Sequence, residues 1–159
     1  MREVFGIAPS LFVFAHVLSA VLWVGGMVAL RFALHPNLVM IEDGKQRLGL
    51  ALSVIGKFFK IISVFIAILV MTGVFMVLAM DFKTIGLGGF VHAKEGIWTL
   101  MTINFVYMNI VRNKAQKSFD RGEIEQAKQQ ASIIAARLIP ANILLGMIAI
   151  YVGVILRGW

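Results

Sequence analysis

Four stretches of the chain are apolar for long enough to cross a bilayer, and polar segments separate them. A bilayer core is ~30 Å thick, and a helix that crosses it needs ~20 mostly apolar residues. Val4–Leu30 contains no Asp, Glu, Lys or Arg, and Pro9 suits the first turn of its helix. Ile61–Met80 is likewise uncharged. Gly96–Val111 is short alone and reaches span length when Val91–Glu95 joins it. Leu138–Leu156, with Pro140 in its first turn, completes the set. The pattern predicts an all-α integral membrane protein, an up-down four-helix transmembrane bundle. Residues 1–159 read as a single membrane domain, with spans at about 8–32, 58–80, 91–112 and 134–157. The first span is expected to stay in the chain, because its apolar run is longer than a signal peptide's and lacks a small-residue cleavage pattern.

Between the spans, Pro36–Gly56 is amphipathic and is expected on the cytoplasmic face. Asn113–Ala136 is rich in Gln, Lys and Glu and is expected to carry helix three or four into water. Gly86-Leu-Gly-Gly89 reads as a turn at the opposite end. No Lys-Ser/Thr follows it, so it is no phosphate loop. A short echo between Phe14-Ala-His16-Val and Phe90-Val-His92-Ala does not extend into a repeat.

Composition agrees with the spans. Sixty per cent of the residues are apolar and 14 % are charged, against about 25 % charged in soluble domains. The absence of cysteine removes disulfides, thiolate zinc sites, iron–sulfur clusters and nucleophilic thiols. A net charge of +7 raises the question of nucleic acid, yet no basic arm or aromatic-interleaved patch is present. The charge lies instead in two connecting segments. One holds Arg31, Lys45, Arg47, Lys57 and Lys60, and the other Arg112, Lys114, Lys117, Arg121, Lys128 and Arg137. Together these are eleven of the fifteen basic residues. Because Lys- and Arg-rich loops stay in the cytoplasm, both termini are expected outside, in the periplasm of a bacterial inner (cytoplasmic) membrane. No nucleic-acid partner is needed.

Ionisable groups inside a bilayer are costly, which makes them functional candidates. His16 lies seven residues beyond Pro9, roughly 10 Å into the membrane from the outer side. His92 opens the third span, which runs in the same direction as the first. Both imidazoles are therefore expected in the outer leaflet, where a pair could serve the two axial positions of a haem iron. Ser19, Ala20 and Gly96 are small residues that would leave room for a flat ring. Glu95 is placed to orient His92, and Lys94 to pair with a propionate, to act as a ligand or to snorkel. His35 stands nineteen residues after His16, roughly 28 Å along a helix, and reads as an interface histidine.

Nine methionines raise copper as the rival, since thioethers suit Cu(I). Met76 and Met80 are one turn apart in the same leaflet, but there is no dense Met run or His-rich tail. No Ser-His-Asp arrangement and no HExxH motif occurs. Asn104, Asn109 and Asn142 read as interhelical hydrogen-bonding residues.

His16-Val-Leu-Ser-Ala-Val-Leu-Trp23-Val-Gly-Gly26, followed by Arg31 and His35-Pro36, resembles the opening span of the CopD-like copper-resistance D membrane family. It also resembles the related HemJ-type protoporphyrinogen oxidases. His92-Ala-Lys94 resembles their third-span His-x-Lys motif, and Arg137-Leu-Ile-Pro140-Ala-Asn142 the start of the last span in both groups. The resemblance implies a b-type haem with His16 as an axial ligand. It adds His92 and Lys94 as site candidates, with structural or redox roles for Trp23 and Arg31. Where the HemJ-type signature has Tyr-Leu-Pro-Arg, this chain reads Ala29-Leu30-Arg31, which leaves the reaction unassigned.

The expectation for function is thus a haem b protein with a redox role, either electron transfer or porphyrin oxidation as a membrane oxidoreductase. Its partners would be the lipid bilayer and a membrane or periplasmic redox partner or a porphyrin. The alternatives are copper transport or resistance through His and Met ligands, and a cofactor-free helical scaffold. The second axial position stays open among His92, Lys94, water and nothing. A homo-oligomer is compatible with four helices around so large a ring.

Overall fold

The computed structural model describes residues 8–79 and 88–157. Helix α1 (Ala8–Val28) continues through a π-helical segment (Ala29–Leu34) into α2 (His35–Val39). Helix α3 (Gly44–Ala79) and helix α4 (Gly88–Asp120) follow, then α5 (Ile124–Ile133), which passes through a second π segment (Ile134–Leu138) into α6 (Ile139–Arg157). The result is four long helical rods and, among the described residues, no strand. This is the all-α membrane bundle that the apolar pattern predicts.

Three rods are long and apolar enough to cross a bilayer: Ser10–Val39, Gly44–Leu78 and Ile124–Leu156. Only 22 % of each apolar window is buried within the bundle, so the remaining side chains are wholly or partly exposed. Leu11, Val21, Met71, Leu78, Leu144 and Tyr151 are among those exposed, and lipid is the solvent that makes such a surface stable. The α4 rod is not in this group. Its uncharged run is bounded by Glu95 and Arg112.

Successive rods run antiparallel. Phe12 near the start of α1 stacks on Phe75 near the end of α3, and Asn104 of α4 donates to the Leu138 carbonyl ahead of α6. The core between the rods centres on Trp23, Met27, Phe59, Ile62, Phe105 and Met108. Trp23 meets Phe105 edge-on at 6.1 Å, and Phe105 meets Phe59 at 5.2 Å. Each aromatic pair adds about 0.5–1.5 kcal/mol beyond its burial. A second, smaller cluster of Leu48, Leu52, Ala115 and Ala127 joins α3, α4 and α5 at the basic end.

The basic segments differ in part from expectation. Pro36–Gly56 does not form one amphipathic surface element. Pro36 follows the first π segment inside the continuous rod, where it has no N–H to give to the turn before it. Asp43 then starts a new helix, its Oδ1 accepting from the N–H groups of Lys45 at 2.8 Å and Gln46 at 3.3 Å. Gly44–Gly56 thereby becomes the opening of α3, and its apolar side, Leu48, Leu52 and Ile55, turns into the protein. Asn113–Ala136 behaves as expected and extends both α4 and α5. The turn between them closes where the Gly122 N–H donates to Phe119 at 3.0 Å and the Glu123 N–H to Ser118 at 2.9 Å. Gly122 has φ 81°, which favours glycine at this helix-ending position. The turn expected at Gly86–Gly89 begins outside the described residues, as do Arg2, Lys83 and Met80, while Gly88 and Gly89 open α4.

Candidate functional site

His16 is half-buried on α1 and faces α3. Its Nδ1 lies 3.1 Å from the Leu69 carbonyl oxygen and 3.0 Å from the Thr72 hydroxyl. A carbonyl oxygen only accepts, so Nδ1 carries the proton and donates. Thr72 Oγ1 spends its own proton on the Ile68 carbonyl at 2.7 Å, which frees its lone pairs to accept from His16. In a neutral imidazole this tautomer leaves Nε2 with a bare lone pair. Leu69 can bond a side chain while inside a helix because a carbonyl oxygen has two lone pairs.

Gly73 completes the cradle. A Cβ at this position would stand 3.3 Å from His16 Cε1, tighter than ordinary carbon contact. A side chain there would push the imidazole back by a few tenths of an ångström. Three positions within about one turn of α3, at Leu69, Thr72 and Gly73, thus seat one ring of α1.

Lys94 points inward as well. Its Nζ comes within 3.0 Å of where a Cβ on Gly153 of α6 would stand. His16 thus packs on α3 and Lys94 on α6. The alternative of Lys94 snorkelling away from the bundle does not describe this conformation.

His92 is placed differently. Its side chain is 71 % exposed, and its Nδ1 pairs with Glu95 Oε2 at 3.0 Å, one turn along the same helix. The carboxylate orients the ring as the sequence suggests, but on the outer surface. His16 and His92 have no hydrogen-bond partner in common, and His16 alone of the two packs against α3. Gly96, expected to make room beside His92, is exposed with open space around it. Ser19, expected to leave room beside His16, is packed at 1 % exposure and donates to the Ala15 carbonyl.

Trp23 lies two turns beyond His16 on the same side of α1. It is 1 % exposed, and its Nε1 has no hydrogen-bond partner among the described residues. Such an orphaned donor costs about 1–3 kcal/mol. It is an uncommitted polar group on the His16 side of the bundle core. Arg31 lies fifteen residues after His16, roughly 22 Å along the helix. It therefore does not join His16, and it lines a cleft at the basic end together with His35. Met76 is half-buried near the end of α3, and its expected partner Met80 lies outside the described residues.

Sequence reasoning missed the α3 side of the site. Thr72 and Gly73 occupy an ordinary apolar span with no motif around them. The signal that could have found them is their position: a buried hydroxyl followed by a glycine, in an antiparallel neighbour, at the depth of an unpaired histidine. Asn104 and Asn142 do join helices as expected, with Nδ2 of Asn104 donating to Oδ1 of Asn142 at 2.9 Å. Asn109 instead donates to the Phe105 carbonyl of its own helix at 3.0 Å. Among the described residues no group of three or more His, Asp or Glu side chains is gathered for a metal ion. Comparison of the chain with protein-family models, with characterised proteins and with solved structures gives no match.

Proposed function

We propose that the protein is a haem b-binding redox protein of the cytoplasmic membrane, with His16 as the axial ligand supplied from within the bundle. The observation that carries this reading is the pair of contacts from His16 Nδ1 to the Leu69 carbonyl and the Thr72 hydroxyl. Imidazoles that bind a metal almost always donate their other N–H to a carbonyl, carboxylate or water, which sets ring orientation and raises ligand basicity. Leu69 and Thr72 do this for His16 and leave Nε2 available.

The other residues fit such a group in kind. Lys94 brings a cation against α6, suited to a propionate carboxylate. The Trp23 indole is an unspent buried donor. When bound, the haem supplies one-electron chemistry, and the protein's part is to ligate it, neutralise its acidic edge and exclude water. His92 contributes at the surface, where Glu95 holds it, and a second axial ligand from this residue would require approach from outside the chain's own core. The resemblance of the His16–Gly26 and His92–Lys94 segments to CopD-like and HemJ-type proteins supports the same cofactor. The eleven basic residues at one end support an orientation with both termini outside.

The test is optical. Protein purified in mild detergent is expected to show a Soret band, with the α and β bands of haem b after dithionite. His16→Ala is expected to abolish them and His92→Ala to preserve them. A colourless preparation that binds stoichiometric copper would overturn the proposal in favour of copper handling. A haem spectrum unaffected by His16→Ala would remove His16 from the site.

A further inference from the structure

The basic end of the bundle holds a cleft of about 310 Å³ between the α1–α2 rod, the start of α3 and the α5–α6 rod. We infer that this cleft is a binding site for the phosphate headgroup of an anionic phospholipid, held by Arg31 and Arg47 with Lys45 and Lys128 at its edge. The inference goes beyond the haem reading and does not depend on it.

Charge comes first. Arg31, Lys45, Arg47 and Lys128 line the cleft together with His35, and the one carboxylate in its lining is Glu125. Glu125 stands 3.9 Å from Lys128, with both side chains largely exposed. Arg31 and Arg47 are half-buried, and neither forms an ion pair among the described residues. Arg31 does contact the Phe32 ring, 6.0 Å away. Two guanidiniums thus line one cavity, partly withdrawn from water and without a carboxylate paired to either. A phosphate diester is a matching partner for such planar donors.

The walls identify the anion as amphiphilic. Leu34, Leu38, Leu48, Ile55 and Ile139 form apolar sides beneath the cations. At the rim, Val39 is 59 % exposed and the neighbouring Met40 79 %, which extends the apolar surface outward. Level matters too. Arg31 ends the first predicted span, Ile55 precedes the second and Ile139 opens the last, so the cleft lies where hydrocarbon gives way to headgroups. Basic pockets between spanning helices at this level suit anionic headgroups. Pockets that enclose a whole drug-sized ligand run from about 300 to 1,000 Å³. This one sits at the small end, right for a headgroup with its first carbons and too small for a tetrapyrrole.

Backbone geometry is the independent observation. Both π-helical segments, Ala29–Leu34 and Ile134–Leu138, reach this cleft, the first through Leu30, Arg31 and Leu34 and the second through Ala135. Extra residues in a helical turn are uncommon and concentrate at functional positions. Here two of them flank one cavity from opposite sides, and the first carries Arg31.

The experiment uses the full chain, delipidated in a neutral detergent, with added phosphatidylglycerol, phosphatidylcholine or inorganic phosphate. Binding is read by native mass spectrometry and by the shift in Tm. Phosphatidylglycerol is expected to remain bound and to raise Tm, phosphatidylcholine and inorganic phosphate to do neither. Arg31→Gln with Arg47→Gln should weaken phosphatidylglycerol roughly thirtyfold, at about one unit of surface-cation attraction for each charge. Should that pair fail to fold, the exposed Lys45→Gln with Lys128→Gln is expected to weaken binding in the same direction, while Lys60→Gln, outside the cleft, leaves it unchanged. Equal retention of the two lipids, undiminished binding in the cleft variants, or displacement of the lipid by haemin would overturn the inference. An effect reproduced by inorganic phosphate alone would do so as well, since it would assign the site to a free anion.

Discussion

The two ends of the bundle handle polar groups in opposite ways. Around His16 the imidazole proton is spent on Leu69 and Thr72, the hydroxyl proton on Ile68, and the ring is seated against Gly73. At the other end, Arg31 and Arg47 line one cleft with no carboxylate paired to either. The difference follows from the solvent. Inside a bilayer a polar group is best satisfied within the protein, as His16 is by α3, and the buried Trp23 Nε1 departs from that rule. At headgroup depth a cation can wait for lipid phosphate, and the fold can leave it open. On the two proposals above, the satisfied site presents a preorganised ligand and the unsatisfied one takes a partner from outside.

The contrast can be broken from the inside first. Trp23→Ala empties the middle of the packed core and is expected to cost about 3–5 kcal/mol, read by denaturant unfolding in detergent. Trp23→Phe keeps most of the volume and removes the orphaned N–H. It is expected to be far milder than Trp23→Ala in the apo protein, and equal losses would mean that the indole nitrogen has a partner. Next comes Gly73→Ala, which pushes a methyl against His16 and is expected to cost about 1–3 kcal/mol while shifting any Soret maximum. An unchanged spectrum and stability would show that the imidazole does not sit in that notch.

Thr72→Val retains shape and deletes one acceptor of the His16 proton. Interhelical hydrogen bonds in membranes average about 0.6 kcal/mol and reach about 1.7, so a loss in that range is expected, with Leu69 still holding the ring. Smallest of all should be His92→Ala or Glu95→Gln. The pair is exposed at 71 % and 42 %, and its removal is expected to change stability by less than about 0.5 kcal/mol. A larger loss would mean that His92 is covered, for instance by a second copy of the chain.

Much of the fold was legible because hydropathy acts along the chain. The uncharged runs of the first, second and last spans required lipid, and Asn104 with Asn142 announced a polar contact between helices. Pairing between spans was not legible in the same way. Nothing local to Thr72 or Gly73 tells which helix they face, because rotation about a helix axis is set by all its neighbours at once. The same reason separates His16 from His92: equal depth on parallel helices does not fix which way each ring points. Asp43 was overlooked as a helix start because amphipathic periodicity runs through it. The π segments have no sequence signature at all, yet they shape the cleft that holds Arg31.

The most direct measurement is of the His16 tautomer. With the protein labelled at histidine with ¹⁵N and free of haem in lipid bilayers, NMR should show His16 with a protonated Nδ1 and a bare Nε2. Thr72→Val should perturb the Nδ1 signal and leave that of His92 alone. A proton on Nε2, or a His16 resonance indifferent to Thr72, would contradict the cradle on which the ligand assignment stands.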